Sequence, residues 1–324
     1  MGELDGRKKY TAERFKELQK LLISAADISK GRACAYATGS YGRLEAGGYS
    51  DLDLCIVARC DENRKSQLAP LDEICVKAEI ISAVRKANLP EIDGDGRYLG
   101  QFTNLELIES IGAPDDDVKN TFTSRMLLLL ESKPIFGDEV YIEAKNDIIS
   151  AYWLDYIDNK DEFIPAYLSN DILRLWRTFC VNYEARTRDL PADKASKRKI
   201  KNYKLKHSRI MTCYSAIIYL LAIYKLKNTV SPADAVEMTS LSPMDRLSWV
   251  LEERNLSSSH KEVSLLIDQY EHFLQIANGD EEQLIDKVLK IDRYTRDDYK
   301  FGEIMFDAVN SIGGNSKFHR LIVV

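Results

Sequence analysis

A chain of 324 residues can bury one large core or two modest ones, and its 45% apolar and 30% charged composition is that of an ordinary globular protein. A formal net charge of −6 argues against a protein that coats nucleic acid with its whole surface, while leaving local basic patches open. Six scattered cysteines with no Cys-x-x-Cys pair argue against a zinc site and read as reduced thiols of a cytoplasmic protein.

In chain order, the run Met1 to Lys9 holds no apolar signal core. Thr11 to Ser24 predicts an opening helix, with Phe15, Leu18 and Leu22 recurring on one face. Gly31 to Thr38 reads as a strand, followed by a glycine-rich turn from Gly39 to Gly48. A second strand opens at Asp51 and Asp53 and continues through Leu54, Cys55, Ile56 and Val57. Charged residues Arg59 to Lys65 form a solvated connection. Leu71, Ile74, Cys75, Ala78, Ile81 and Val84 then fit a helical stripe that ends at Asn88-Leu89-Pro90. After a Gly/Asp-rich turn, Arg97 to Thr103 gives a short third strand, and strand-helix-strand order suits a small mixed sheet.

From Asn104 the pattern turns helical. Arg125 to Glu131 reads as a buried helix closed by Lys133-Pro134, with Arg125 expected in a buried ion pair. Helices follow near 139–158, 168–188, 203–227, 232–238, 243–253, 260–277 and 280–290. The expected division lies near Pro134, giving units 1–134 and 135–324 and an α+β fold class. Ile210 to Leu226 is interrupted by Thr212, Ser215 and tyrosines, so it reads as a core helix and not a membrane span.

The segment Gly39 to Asp53 carries the chemistry. Gly39-Ser40, Gly42 and Gly47-Gly48 allow backbone to approach phosphate oxygens closely. Asp51 and Asp53, two apart at a strand start, project to one face and form a hard-oxygen site for Mg²⁺ or Mn²⁺ bridging a triphosphate. Ser40 would meet the β/γ-phosphates; Arg43 would either add a bidentate phosphate contact or pair with Glu45.

Gly39-Ser40 followed by Ser50-Asp51-Leu52-Asp53 resembles the active-site motif of the DNA polymerase β nucleotidyltransferase superfamily. With Gly42-Arg43-Leu44-Glu45 it is similar to the branch of PII uridylyltransferases and glutamine synthetase adenylyltransferases. The stretches from Asn120 and Asn170 resemble stand-alone bacterial members of that GlnD-like group. No segment matches the HD and ACT domains of the former or the duplicated unit of the latter. The resemblance implies a small mixed-sheet nucleotidyltransferase core followed by a larger all-helical domain. It also implies transfer of a nucleoside monophosphate from a nucleoside triphosphate to a hydroxyl on a protein, an RNA end, a nucleotide or a small molecule.

Such sites take a third carboxylate as general base. Spacing to Asn104-Leu105-Glu106 resembles the uridylyltransferases and selects Asp93, with Asp95 close by, although Ile92-Asp93-Gly94-Asp95-Gly96 is also good turn chemistry. Lys194 to Arg209 is basic throughout. It reads as a solvated face, as a triphosphate clamp built from Lys204, Lys206, Ser208 and Arg209, or as an RNA contact. A nucleotide sensor or toxin–antitoxin partner without catalysis is the alternative function. Arg254 and His260 loosely fit the spacing of HEPN ribonucleases and read as chance.

Overall fold

The computed structural model describes residues 2–90, 99–188, 195–280, 283–284, 287 and 294–323. The chain divides into two compact units, Glu3–Ala151 and Tyr152–Val324. The fold is α+β: a small mixed sheet lies in the first unit, and the described residues of the second are helical.

The first unit opens with α1 (Glu3–Leu21) and α2 (Ile23–Ser29), then β1 (Ala33–Thr38), the single helical turn α3 (Gly39–Gly42) and β2 (Asp53–Ala58). There follow α4 (Pro70–Lys86), β3 (Gln101–Thr103), α5 (Asn104–Glu109), α6 (Thr121–Leu130), β4 (Lys133–Phe136) and α7 (Asp138–Tyr152). Strand order among the described residues is β3-β2-β1-β4, with β1 antiparallel to both neighbours and β3 parallel to β2.

Alternation along the central strands sorts the side chains. Ala33, Ala35, Ala37, Leu54, Ile56 and Ala58 enter the core with Leu18 and Leu22 of α1, Ala25 of α2 and Val76 and Ile80 of α4. Cys34, Tyr36, Thr38, Asp53, Cys55 and Val57 therefore take the opposite face, where Tyr141 of α7 sets its ring 6.0 Å from that of Tyr36.

Three boundaries that bear on the site differ from the sequence expectation. Strand β2 opens at Asp53 and not at Asp51, so Asp51 belongs to the preceding loop and does not share the strand face by alternation. Helix α1 starts at Glu3, ahead of the expected Thr11, and its Arg7 and Thr11 hydrogen-bond the loop after α3. Lys133-Pro134, expected only to close a helix, begins β4, so the sheet continues past residue 134 and the division falls at Ala151. Proline is accommodated there because β4 is an edge strand.

The second unit contains α8 (Ala166–Thr187), α9 (Ala195–Lys204), a π-helical turn (Leu205–Arg209) and α10 (Ile210–Lys227). It continues with α11 (Pro232–Ser240), α12 (Pro243–Glu252), α13 (His260–Ile276), α14 (Tyr294–Gly313) and α15 (Lys317–Val323). Helix α10 is buried all round from Met211 to Tyr224 except at Tyr214. The continuous helical stretch Arg198–Lys227 is long and apolar enough to cross a membrane by length and composition, yet 72% of its apolar window is buried inside the protein, as for a core helix. Ser231 and Ser242 cap α11 and α12, each with proline in the first turn.

Candidate functional site

The last rung of the β1–β2 ladder pairs Thr38 with Asp53. Beyond Thr38 the chain turns at once into α3, starting from Gly39 at φ +64°. A side chain there would put its Cβ 2.9 Å from Asp53 Oδ2. The missing side chain is what lets the Asp53 carboxylate lie directly over the turn. Asp53 is half-buried on the face it shares with Thr38, Leu52 is buried in the opposite core, and Asp51 is exposed at the mouth. Ser50 ties the approach into a tight turn: its Oγ accepts from the Gly47 amide at 2.9 Å, and its own amide donates to the Gly47 carbonyl at 3.1 Å.

Arg43 is buried, with 6% of its surface exposed. Its guanidinium donates to Glu45 at 2.9 Å and to Glu131, at the end of α6, at 2.7 Å. The pairing with Glu45 that the sequence offered beside a phosphate contact is thus present, joined by a carboxylate 88 residues away. The loop is pinned twice more, by Arg7 Nη1 donating to the Glu45 carbonyl and by the Ala46 amide donating to Thr11 Oγ1. These ties hold Leu44 at φ +62°, a conformation a branched side chain adopts only under constraint. The geometry makes Arg43 part of the scaffold that sets the glycine turn.

On the Asp53 face, burial pushes the Cys55 thiol up to about 12 and the Tyr36 hydroxyl well above its ordinary value, so both stay neutral. Over this floor lies a polar network from α7. The Tyr141 hydroxyl donates to the Ser132 carbonyl at 3.1 Å and lies 2.8 Å from Ser132 Oγ. Lys145 Nζ donates to the Tyr141 hydroxyl at 3.2 Å and lies 4.8 Å from the centre of its ring. Lys145 is 6% exposed. Sequence reasoning missed this lysine; the signal was an ionisable residue inside the buried α7 stripe of Tyr141, Ala144, Lys145 and Ile148.

No family model, curated protein or solved structure matches the chain.

The remaining expected residues are dispersed. Asp93 and Asp95 lie outside the described residues. Among the described residues no group of three or more His, Cys, Asp or Glu side chains is arranged to hold a metal ion. Lys204, Lys206, Ser208 and Arg209 belong to the second unit, where Leu205–Arg209 form a π-helical turn. Lys206 Nζ lies 5.3 Å from the centre of the Tyr299 ring, and the Arg209 guanidinium 4.9 Å from that of Phe179. Ser208 Oγ donates back to the Lys204 carbonyl. Arg125 forms the expected buried ion pair, with Asp116 at 2.6 Å. His260 Nε2 lies 3.1 Å from the Glu253 carbonyl, which gives the ring a structural partner.

Proposed function

We propose that the chain is a divalent-cation-dependent nucleotidyltransferase that moves a nucleoside monophosphate from a triphosphate to an acceptor hydroxyl. What supports this most is the lodging of the Asp53 carboxylate against Gly39, where a Cβ would sit 2.9 Å from Oδ2. A hard-oxygen ligand and a close-approach backbone turn meet at one point, as holding a cation beside a phosphate requires.

The donor set fits Mg²⁺ or Mn²⁺. Asp51 and Asp53 would hold the ion, which supplies charge neutralisation on the phosphate oxygens. Gly39 keeps the Asp53 carboxylate in place, and the Ser40 hydroxyl orients the phosphate chain. Arg43, through Glu45 and Glu131, fixes the loop that carries Asp51. The acceptor oxygen attacks the α-phosphorus as the bond to the bridging oxygen breaks; that electron pair leaves with pyrophosphate. The acceptor proton goes to the third carboxylate, assigned to Asp93. Six cysteines, all free thiols, fit a reducing cytoplasm.

The test incubates the protein with each α-³²P-labelled nucleoside triphosphate and Mg²⁺ in cell lysate. The reading expects label in protein, RNA or a small molecule, reduced about a hundredfold or more by Asp53→Asn. Nucleotide binding without incorporation would replace the enzyme with the sensor alternative.

A further inference from the structure

We infer that Lys145 receives the triphosphate at this site, its ammonium meeting the β- and γ-phosphate oxygens and the charge that leaves with pyrophosphate. The inference rests on the nucleotidyl-transfer reading and adds the residue that grips the leaving group.

Three observations place the ammonium. It is held at the Tyr141 hydroxyl, which is itself fixed by Ser132. Ser132 immediately precedes Lys133, which pairs with Ala37, and the next residue, Thr38, pairs on its other side with Asp53. The Tyr141 ring packs tilted against Tyr36, 6.0 Å between centres, and Tyr36 shares its sheet face with Asp53. Lys145 thus presents its ammonium at the Gly39 end of the sheet and on the Asp53 face. On this row the β4 and β2 backbones lie about two strand spacings, or about 10 Å, apart. A triphosphate chain fits between such a cation and the carboxylates.

Charge argues the same way. Two aspartates and a triphosphate need positive charge beyond a bound cation. The arginine of the motif, Arg43, is committed to Glu45 and Glu131. Tyr36 and Cys55, on the same sheet face as Asp53, are buried and keep their protons, and Lys145 is itself 6% exposed. A cation held there acts with little solvent screening. As the acceptor oxygen bonds to the α-phosphorus and the bridging bond breaks, the ammonium donates to the departing oxygens. It keeps its proton throughout.

The test measures binding of Mg²⁺–ATP and of Mg²⁺ with inorganic tripolyphosphate by calorimetry, for the wild type, Lys145→Met and Lys145→Arg. The expected result is an affinity loss of about 10- to 100-fold in Lys145→Met for both ligands, with partial recovery in Lys145→Arg. Turnover in Lys145→Met should fall further than affinity does. A readout independent of folding in the variant is the ¹³Cε-lysine NMR spectrum of the wild type. The resonance missing from Lys145→Arg should shift when tripolyphosphate is added. Wild-type binding that persists undiminished in Lys145→Met, or an unmoved Lys145 resonance, overturns the inference alone. A wild type that binds no Mg²⁺–triphosphate overturns the nucleotidyl-transfer reading and this inference with it.

Discussion

Gly39 and Gly42 sit three residues apart and answer different requirements. Gly39 adopts φ +64° and leaves room for a flexible carboxylate, whereas a Cβ at Gly42 would lie 2.0 Å from the backbone oxygen of Glu131. Gly39→Ala is therefore expected to displace Asp53 and cut activity at modest cost in stability. Gly42→Ala meets backbone that cannot rotate away, and should destabilise the first unit by about 3 kcal/mol or more. Parallel melting curves and activity assays separate the two; equal loss of stability would refute the distinction. Arg43 gives a third case. Arg43→Met takes the guanidinium away from two buried carboxylates, Glu45 and Glu131, at an expected cost of about 3 kcal/mol, which lowers the melting midpoint of that unit by about 10 °C. An unchanged midpoint would show that the triad is not what holds the loop.

Some elements declared themselves in the sequence, and others could not. The β1–β2 hairpin was legible because apolar strands flank a glycine turn, and Asp53 at the strand start follows from the same pattern. Strand β4 was hidden: four residues opening on Lys133-Pro134 carry the signature of a helix stop, and only pairing with β1 makes them a strand. Lys145 escaped because helical periodicity marks a position as buried without saying what chemistry is buried there. The π-helical turn at Leu205–Arg209 also defeats periodic reading, since one wider turn moves every later side chain. That turn carries His207 into an aromatic cage, stacked on Phe273 at 4.7 Å and 5°, beside Tyr203 and Phe301. Its Nδ1 donates to the Tyr203 carbonyl. Burial is the main cause that lowers its pKa from 6.5 to about 4. Above pH 6.5 the imidazole is neutral folded or unfolded, so it contributes no pH dependence. Between 6.5 and 4 only the unfolded chain takes the proton, so stability falls as pH falls and levels off below 4, by about 3 kcal/mol in all. The melting midpoint of the second unit should follow this slope, and His207→Phe should flatten it. A slope unchanged in that variant would assign the effect elsewhere.

For the molecule as a whole, division of labour follows from composition. The first unit concentrates the sheet, the glycine turn and the carboxylates, while the second is organised around the buried helix α10. The α+β class was readable because strand patterning stops by residue 103 apart from β4. In the helical unit, Lys206 and Arg209 lie over Tyr299 and Phe179, ring contacts that basic periodicity does not announce. The central claim concerns the Asp53 carboxylate against the glycine turn, with Asp51 at its mouth. Its most direct measurement is anomalous diffraction from crystals grown with Mn²⁺ and a non-hydrolysable nucleoside triphosphate. The expected map has a manganese peak bound by Asp51 and Asp53, with the phosphate chain passing Ser40. Manganese bound elsewhere, or those two carboxylates turned away from the nucleotide, would contradict it.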